Sequence, residues 1–262
     1  MSPDVFVRYA SGFAIGSFVA MLACLELGRR IGRSRARTDP EGWQAGTGVI
    51  EGAIFALLGL MLGFTFSAAI GRIDVRRQQI VAEANAIGTA YLRLDLLPEG
   101  EQPAMRDLFR RYTDARLSVY EKVALDLPAA LAELDRATAL QSEIWRATVR
   151  ATRDRDSSAA SRLLLPAVNE MIDITSVRTM AAWTHNPMLF YVLIAVLLVI
   201  SSLLAGYAMA RSRERNWLHI IGFALVTTAV VFVIIDVDYP RIGFFRLDAA
   251  DRVLYETRAA MR

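Results

Sequence analysis

Cysteine, histidine and lysine are almost missing from this chain of 262 residues. The one cysteine, Cys24, cannot form an intrachain disulfide, and it lies inside an apolar run, so it is silent on redox compartment. The two histidines, His185 and His219, are far apart and have no metal-ligand spacing; no metal or cofactor is expected. Lys122 is the only lysine. The other basic residues are arginines spread over every segment with no aromatic-interleaved stripe, which argues against nucleic acid as a partner. Phosphate-binding loops, a G-x-S-x-G elbow and a dinucleotide fingerprint are all absent, so no enzyme is expected. Strand-type alternation is absent too. The first apolar run lacks a convincing A-x-A cleavage site, so it reads as a retained span.

What the chain does have is apolar length. It is 54% hydrophobic yet 22% charged, with a mean hydropathy of +0.33. Membrane spans joined to a polar domain account for both figures. Crossing the hydrocarbon core takes roughly 20 apolar residues. Four segments qualify: Val5 to Leu27, Gly46 to Ile70, Pro187 to Ala210 and Trp217 to Ile235. Tyr191, Tyr207, Trp217 and Tyr239 stand near the span ends, where interfacial aromatics belong. The second span continues without a proline into a charged amphipathic segment that reaches Leu97. A membrane path and a polar domain are therefore expected to share one helix.

Between the second and third spans the pattern is wholly helical. Ile80, Ala84, Ile87, Tyr91 and Leu94 mark one face of a first helix. Pro98, Gly100 and Pro103 interrupt it. Met105, Phe109, Tyr112 and Val119 mark a second helix, and Pro128 opens a third. TRDRDSS reads as a turn before a fourth helix with Leu164, Val168, Met171 and Thr175. The predicted fold class is all-α: a polytopic membrane protein with four transmembrane helices and a helical insert between helices two and three. The expected division is 1–70 for spans one and two, 71–186 for the soluble insert, 187–237 for spans three and four, and 238–262 for a C-terminal helical tail.

Arginines set the expected orientation. Arg29, Arg30, Arg33, Arg35 and Arg37 follow span one, and Arg211, Arg213 and Arg215 lie between spans three and four. Short loops this basic belong in the cytoplasm. The insert and the C-terminal tail are therefore expected on the other side of the membrane.

Several residues are candidates for function. Leu57, Met61, Phe64 and Ala68 share a face of span two and are candidate pore-lining residues, since apolar constrictions gate by dewetting; lipid-facing packing is the competing fate. Arg72, Arg76 and Arg77 are candidate pore-mouth charges, which in a symmetric oligomer would form rings that select anions; headgroup snorkelling competes. Glu26, Glu51, Asp236 and Asp238 are acids within or at the edge of the membrane, functional candidates by default, although Glu26 is also placed to pair with Arg29 or Arg30. Asp236 and Asp238 do not share a helix face, and two acids make a thin cation site against an exposed helix end. Gly59 with Gly63 and Gly48 with Gly52 form G-x-x-x-G pairs that read as close helix approach. Glu83, on the helix beyond span two, reads as a packing group or a partner for arginine.

The stretch from Leu58 to Pro98, with VIIDVDYPRIG near the C-terminus, resembles the bestrophin-like family of bacterial membrane proteins, which carry a domain of unknown function. A fainter likeness links it to the bestrophins, pentameric anion channels whose second span ends in L-G-F-R-N-x-A followed by spaced arginines. Leu62, Gly63, Phe64, Ala68, Arg72 and Arg77 fall in step with that pattern. Thr65 and Phe66 replace its Arg-Asn pair, and the following tryptophans are absent. The resemblance implies a homo-oligomer in the lipid bilayer, a pentamer if it holds throughout, conducting a small anion along helix two. The family likeness implies a bacterial inner membrane, where the arginine distribution puts the insert in the periplasm; the bestrophin likeness implies the opposite, a cytoplasmic insert. The alternative function is a membrane-anchored sensor or scaffold whose insert binds a ligand or partner.

Overall fold

The computed structural model describes residues 3–39, 47–153, 158–212, 214–241 and 243–262. Among the described residues eight α-helices follow in chain order: α1 (Pro3–Thr38), α2 (Thr47–Leu92), α3 (Gln102–Lys122), α4 (Leu127–Ala151), α5 (Ser158–Trp183), α6 (Met188–Ala208), α7 (Trp217–Asp238) and α8 (Asp248–Ala259). No strand occurs among the described residues. The fold is all-α. Among the described residues four helical stretches, drawn from α1, α2, α5 with α6, and α7, are long and apolar enough to cross a membrane, and α3 and α4 lie between the second and third of them.

Helix α2 carries the expected continuity. Its 46 residues correspond to about 69 Å of helix at 1.5 Å per residue, more than twice the ~30 Å hydrocarbon core. Among the expected elements, one differs. The arginines after span one are not in a loop, because α1 runs on to Thr38. Arginine is a good helix former, no proline intervenes before Pro40, and Arg35 and Arg37 in the last turn suit the negative end of the helix dipole. The expected turn at 152–158 falls partly on residues outside the described ones, as does Gly46 at the start of span two.

The chain divides into two compact units. One contains Val7–Gly71 and His185–Tyr239. Its core joins Met21 of α1, Leu58 of α2, Ile194, Leu197 and Leu198 of α6, and Ala224 and Val231 of α7. Helices α1 and α6 touch backbone to backbone. A Cβ on Gly28 would lie 2.0 Å from the Leu203 carbonyl oxygen, and one on Gly206 would lie 1.9 Å from that of Leu25. Two glycines on different helices thus make reciprocal room, the small-residue packing that lets membrane helices approach closely. The anticipated pairs do not serve this purpose within the protomer: Gly48, Gly52, Gly59 and Gly63 have nothing within 4 Å of a built Cβ.

The other unit contains Arg72–Thr184 and Pro240–Arg262. Its core is the set of in-phase apolar residues on α2 to α5, among them Ile87, Tyr91, Phe109, Tyr112, Ile144 and Val168. The C-terminal segment belongs to this unit, since Leu254 of α8 and Met261 are buried in the same core. Asp126 caps α4 by accepting the Ala129 N–H at 3.0 Å. A small polar knot inside the core is satisfied internally: Gln141 Nε2 donates to Tyr112 Oη (3.1 Å) and to Thr175 Oγ1 (2.9 Å).

Candidate functional site

Helix α2 holds most of the sequence candidates. Leu57, Phe64 and Ala68 are exposed in the protomer, whereas Met61 is half-buried against the membrane-unit core. Exposure follows a regular stripe. Leu60, Phe64, Ser67, Gly71, Asp74, Gln78, Ala82, Asn85 and Thr89 are all exposed and succeed one another at spacings of four and three. This is one continuous helix face, exposed along its length among the described residues. It is apolar at its start and becomes small and polar from Ser67 onward.

The three candidate mouth arginines separate. Arg77 is half-exposed, 3.7 Å from Asp74, with its guanidinium 5.8 Å from the Phe245 ring centre. Arg72 is half-buried. Arg76 is only 8% exposed: its Nε donates to the Ala181 carbonyl (3.1 Å) and its Nη2 to that of Thr184 (2.8 Å). Those carbonyls end α5, where a cation satisfies orphan acceptors and the helix dipole. Arg76 is thus engaged inside its own protomer.

The membrane-edge acids also separate. Asp238 is fully buried and accepts the Asn186 N–H (3.1 Å) and the Tyr191 hydroxyl (2.8 Å). It ties the end of α7 to the entry of α6. Asp236 is buried and Glu51 half-buried. Glu26 accepts from Arg30 Nε at 3.0 Å and from Arg215 Nη2 at 3.2 Å. Among the described residues no cluster of acids, histidines or cysteines is composed to hold a metal.

A buried network of charges lies in the insert unit. Glu83 of α2 has no exposed surface. It accepts from Arg116 Nε at 2.6 Å, from the Tyr120 hydroxyl at 2.9 Å and from Arg178 Nη1. Arg178 passes on to Asp251 of α8 at 3.0 Å, and Arg241 grips the same carboxylate at 2.6 and 3.0 Å. The Tyr120 ring lies beneath Arg178, 3.6 Å from its guanidinium carbon, a cation–π geometry. Three guanidinium groups thus face two carboxylates, and the network joins α2, α3, α5 and α8. Burial alone would raise the pKa of Glu83, but the charges and hydrogen bonds of Arg116 and Arg178 outweigh it and hold the carboxylate below its ordinary range. Burial and the Glu83 charge push the Tyr120 phenol up, so it stays a neutral donor.

Sequence reasoning had Glu83 as a packing group or a partner for arginine and did not find Arg116, Arg178, Arg241 or Asp251. A signal was available. Arg116 falls in phase with Phe109 and Tyr112, Arg178 with Met171 and Thr175, and Asp251 with Leu254. A charge in register with an apolar stripe is a charge carried into the core, where it must be paired.

Comparison with known proteins bears on this architecture. Residues 15–251 match the family described as Bestrophin-like domain. Among solved structures, the chain is similar to a single-substitution variant of a bacterial Bestrophin homologue from Klebsiella pneumoniae, with a TM-score of 0.60 and 14% identity over 91% of this chain and 98% of that one. At that identity the likeness concerns the fold. No curated protein matches the chain.

Proposed function

Since the chain belongs to the Bestrophin-like family, we propose that it is a homo-oligomeric channel for small anions, a pentamer, with α2 from each protomer lining the path. The observation that carries this reading is the exposed stripe on α2. A face that follows α2 from Leu60 to Thr89 and is exposed among the described residues has a natural partner in the symmetry mates or lumen of a closed ring. In this reading Leu57, Phe64 and Ala68 form the apolar constriction, with Met61 beside them. Arg72 and Arg77 stand at the mouth and outnumber Asp74, which favours anions. Arg76 supports the mouth by holding the end of α5. The protein acts by conduction and needs no catalytic group.

The test is flux from proteoliposomes holding the purified protein. We expect chloride efflux, a closed ring by native mass measurement, and a several-fold rise in efflux for Phe64→Ala, which removes the dewetting ring. Arg77→Gln should move the reversal potential toward potassium in a potassium chloride gradient. A monomeric, silent protein would overturn the reading and leave the sensor alternative.

We place the insert in the periplasm and the spans in a bacterial inner membrane, on the strength of the arginines between α6 and α7 and at the end of α1. The C-terminal segment packs into the insert unit, so a fusion at Arg262 reports the side of that whole unit. We expect an alkaline phosphatase fusion to be active and a green fluorescent protein fusion to be dark. The opposite pattern would put the insert in the cytoplasm.

A further inference from the structure

A cavity of about 350 Å³ opens among α1, the end of α6 and the start of α7, lined by Glu26, Arg29, Arg30, Gly206, Arg215 and Trp217. Its charge is lopsided, with three guanidinium groups to one carboxylate. Glu26 is shared between Arg30 and Arg215, so neither arginine has a carboxylate to itself. Arg29 is only 4% exposed. Its Nη2 donates to the carbonyls of Ser212 (3.2 Å) and Glu214 (3.0 Å), while its buried Nε has no partner among the described residues. A buried guanidinium N–H without an acceptor is costly, and an anion in the cavity would remove that cost. Trp217 lies beside Arg215, whose guanidinium is 5.4 Å from the ring centre.

We propose that this cavity binds a phosphate group, the headgroup of an anionic phospholipid or a free phosphate anion. Arginine forks match phosphate oxygens in pairs, and basic pockets between membrane helices hold anionic headgroups. The wall also offers Leu22, Met209 and Ile220, apolar surface that an acyl chain can cover and a free anion cannot. Glu26 is the internal competitor: its carboxylate occupies the donors that a phosphate would use. The assignment does not depend on ion conduction.

The experiment is calorimetric titration of the full-length protein in a neutral detergent with dihexanoyl phosphatidylglycerol, dihexanoyl phosphatidylcholine and inorganic phosphate. Arg29 is left in place because it holds the α6–α7 connection. We expect phosphatidylglycerol to bind, Arg30→Gln with Arg215→Gln to weaken it at least tenfold, and Glu26→Gln to tighten it several-fold, with unchanged melting of the unliganded variants. A purely structural salt bridge gives no tightening in the last variant. Inorganic phosphate binding as tightly as the lipid, with the same response to the variants, assigns the site to free phosphate and sustains the proposal. Absence of binding by both phosphates, equal binding of phosphatidylcholine, or indifference to all three substitutions overturns it.

Discussion

Replacing Glu83 by alanine should cost about 3–5 kcal/mol of stability, the range for removing one partner of a buried ion pair. Arg116 and Arg178 would keep their positions beneath the surface with their shared acceptor gone, and Tyr120 would lose the oxygen it donates to. The loss comes from uncompensated buried charge, and this can be separated from a simple packing defect. Glu83→Leu combined with Arg116→Met and Arg178→Met should recover much of the stability, because well-packed apolar groups often replace a buried ionic cluster at no net cost. Melting of the purified protein in detergent checks both. A Glu83→Ala variant within about 1 kcal/mol of the wild type would mean that the network is peripheral to folding.

The same cluster sets an acid limit. Glu83 has a folded pKa below its ordinary value of 4.5. A depressed carboxylate contributes stability that is fully present above the unfolded value and is lost as pH falls through the folded one. Acid unfolding of the wild type should therefore extend below about pH 4.5, and Glu83→Gln should flatten the stability profile in that range.

Gly206→Ala should be the most damaging single methyl in the membrane unit. Its Cβ would lie 1.9 Å from the Leu25 carbonyl oxygen, so the backbones of α1 and α6 must separate by about an ångström or more to reach an ordinary contact. Overpacking of this kind costs about 1–3 kcal/mol, and alanine's better helix propensity returns about 1 kcal/mol at most. Gly28→Ala, facing the Leu203 carbonyl at 2.0 Å, should behave alike. Gly59→Ala is the control: nothing lies near its Cβ, so it should be neutral or slightly stabilising in the isolated protomer. The readout is the melting temperature and the monodisperse fraction after purification. A Gly206→Ala variant that melts like the wild type would contradict the reciprocal contact.

Much of this protein was legible in its sequence because hydropathy and helical phase are local properties. The four spans, the helices of the insert and the passage of span two into a polar helix all follow from which residues recur every three or four positions. The unbroken length of α2 follows from the absence of proline between Gly46 and Leu97. The pairings were a different matter. Gly59 and Gly63 make a motif in sequence, yet the glycines that bring helices together are Gly28 and Gly206, which no spacing rule connects. Arg72 and Arg76 share a helix face by sequence, yet Arg76 turns to the carbonyls ending α5 because those acceptors come within its reach only after folding.

Glu83 shows the division most plainly. Its sequence position, in phase with Ile80 and Ile87, already committed it to the interior and so to finding a positive partner. Which partners it found was decided by the packing of α3, α5 and α8 around α2, which brought Arg116, Arg178 and, through Asp251, Arg241 to one place. Burial of a charge is prescribed by the local pattern; the identity of the charge that answers it depends on contacts between residues far apart in the chain, and only the tertiary structure supplies those.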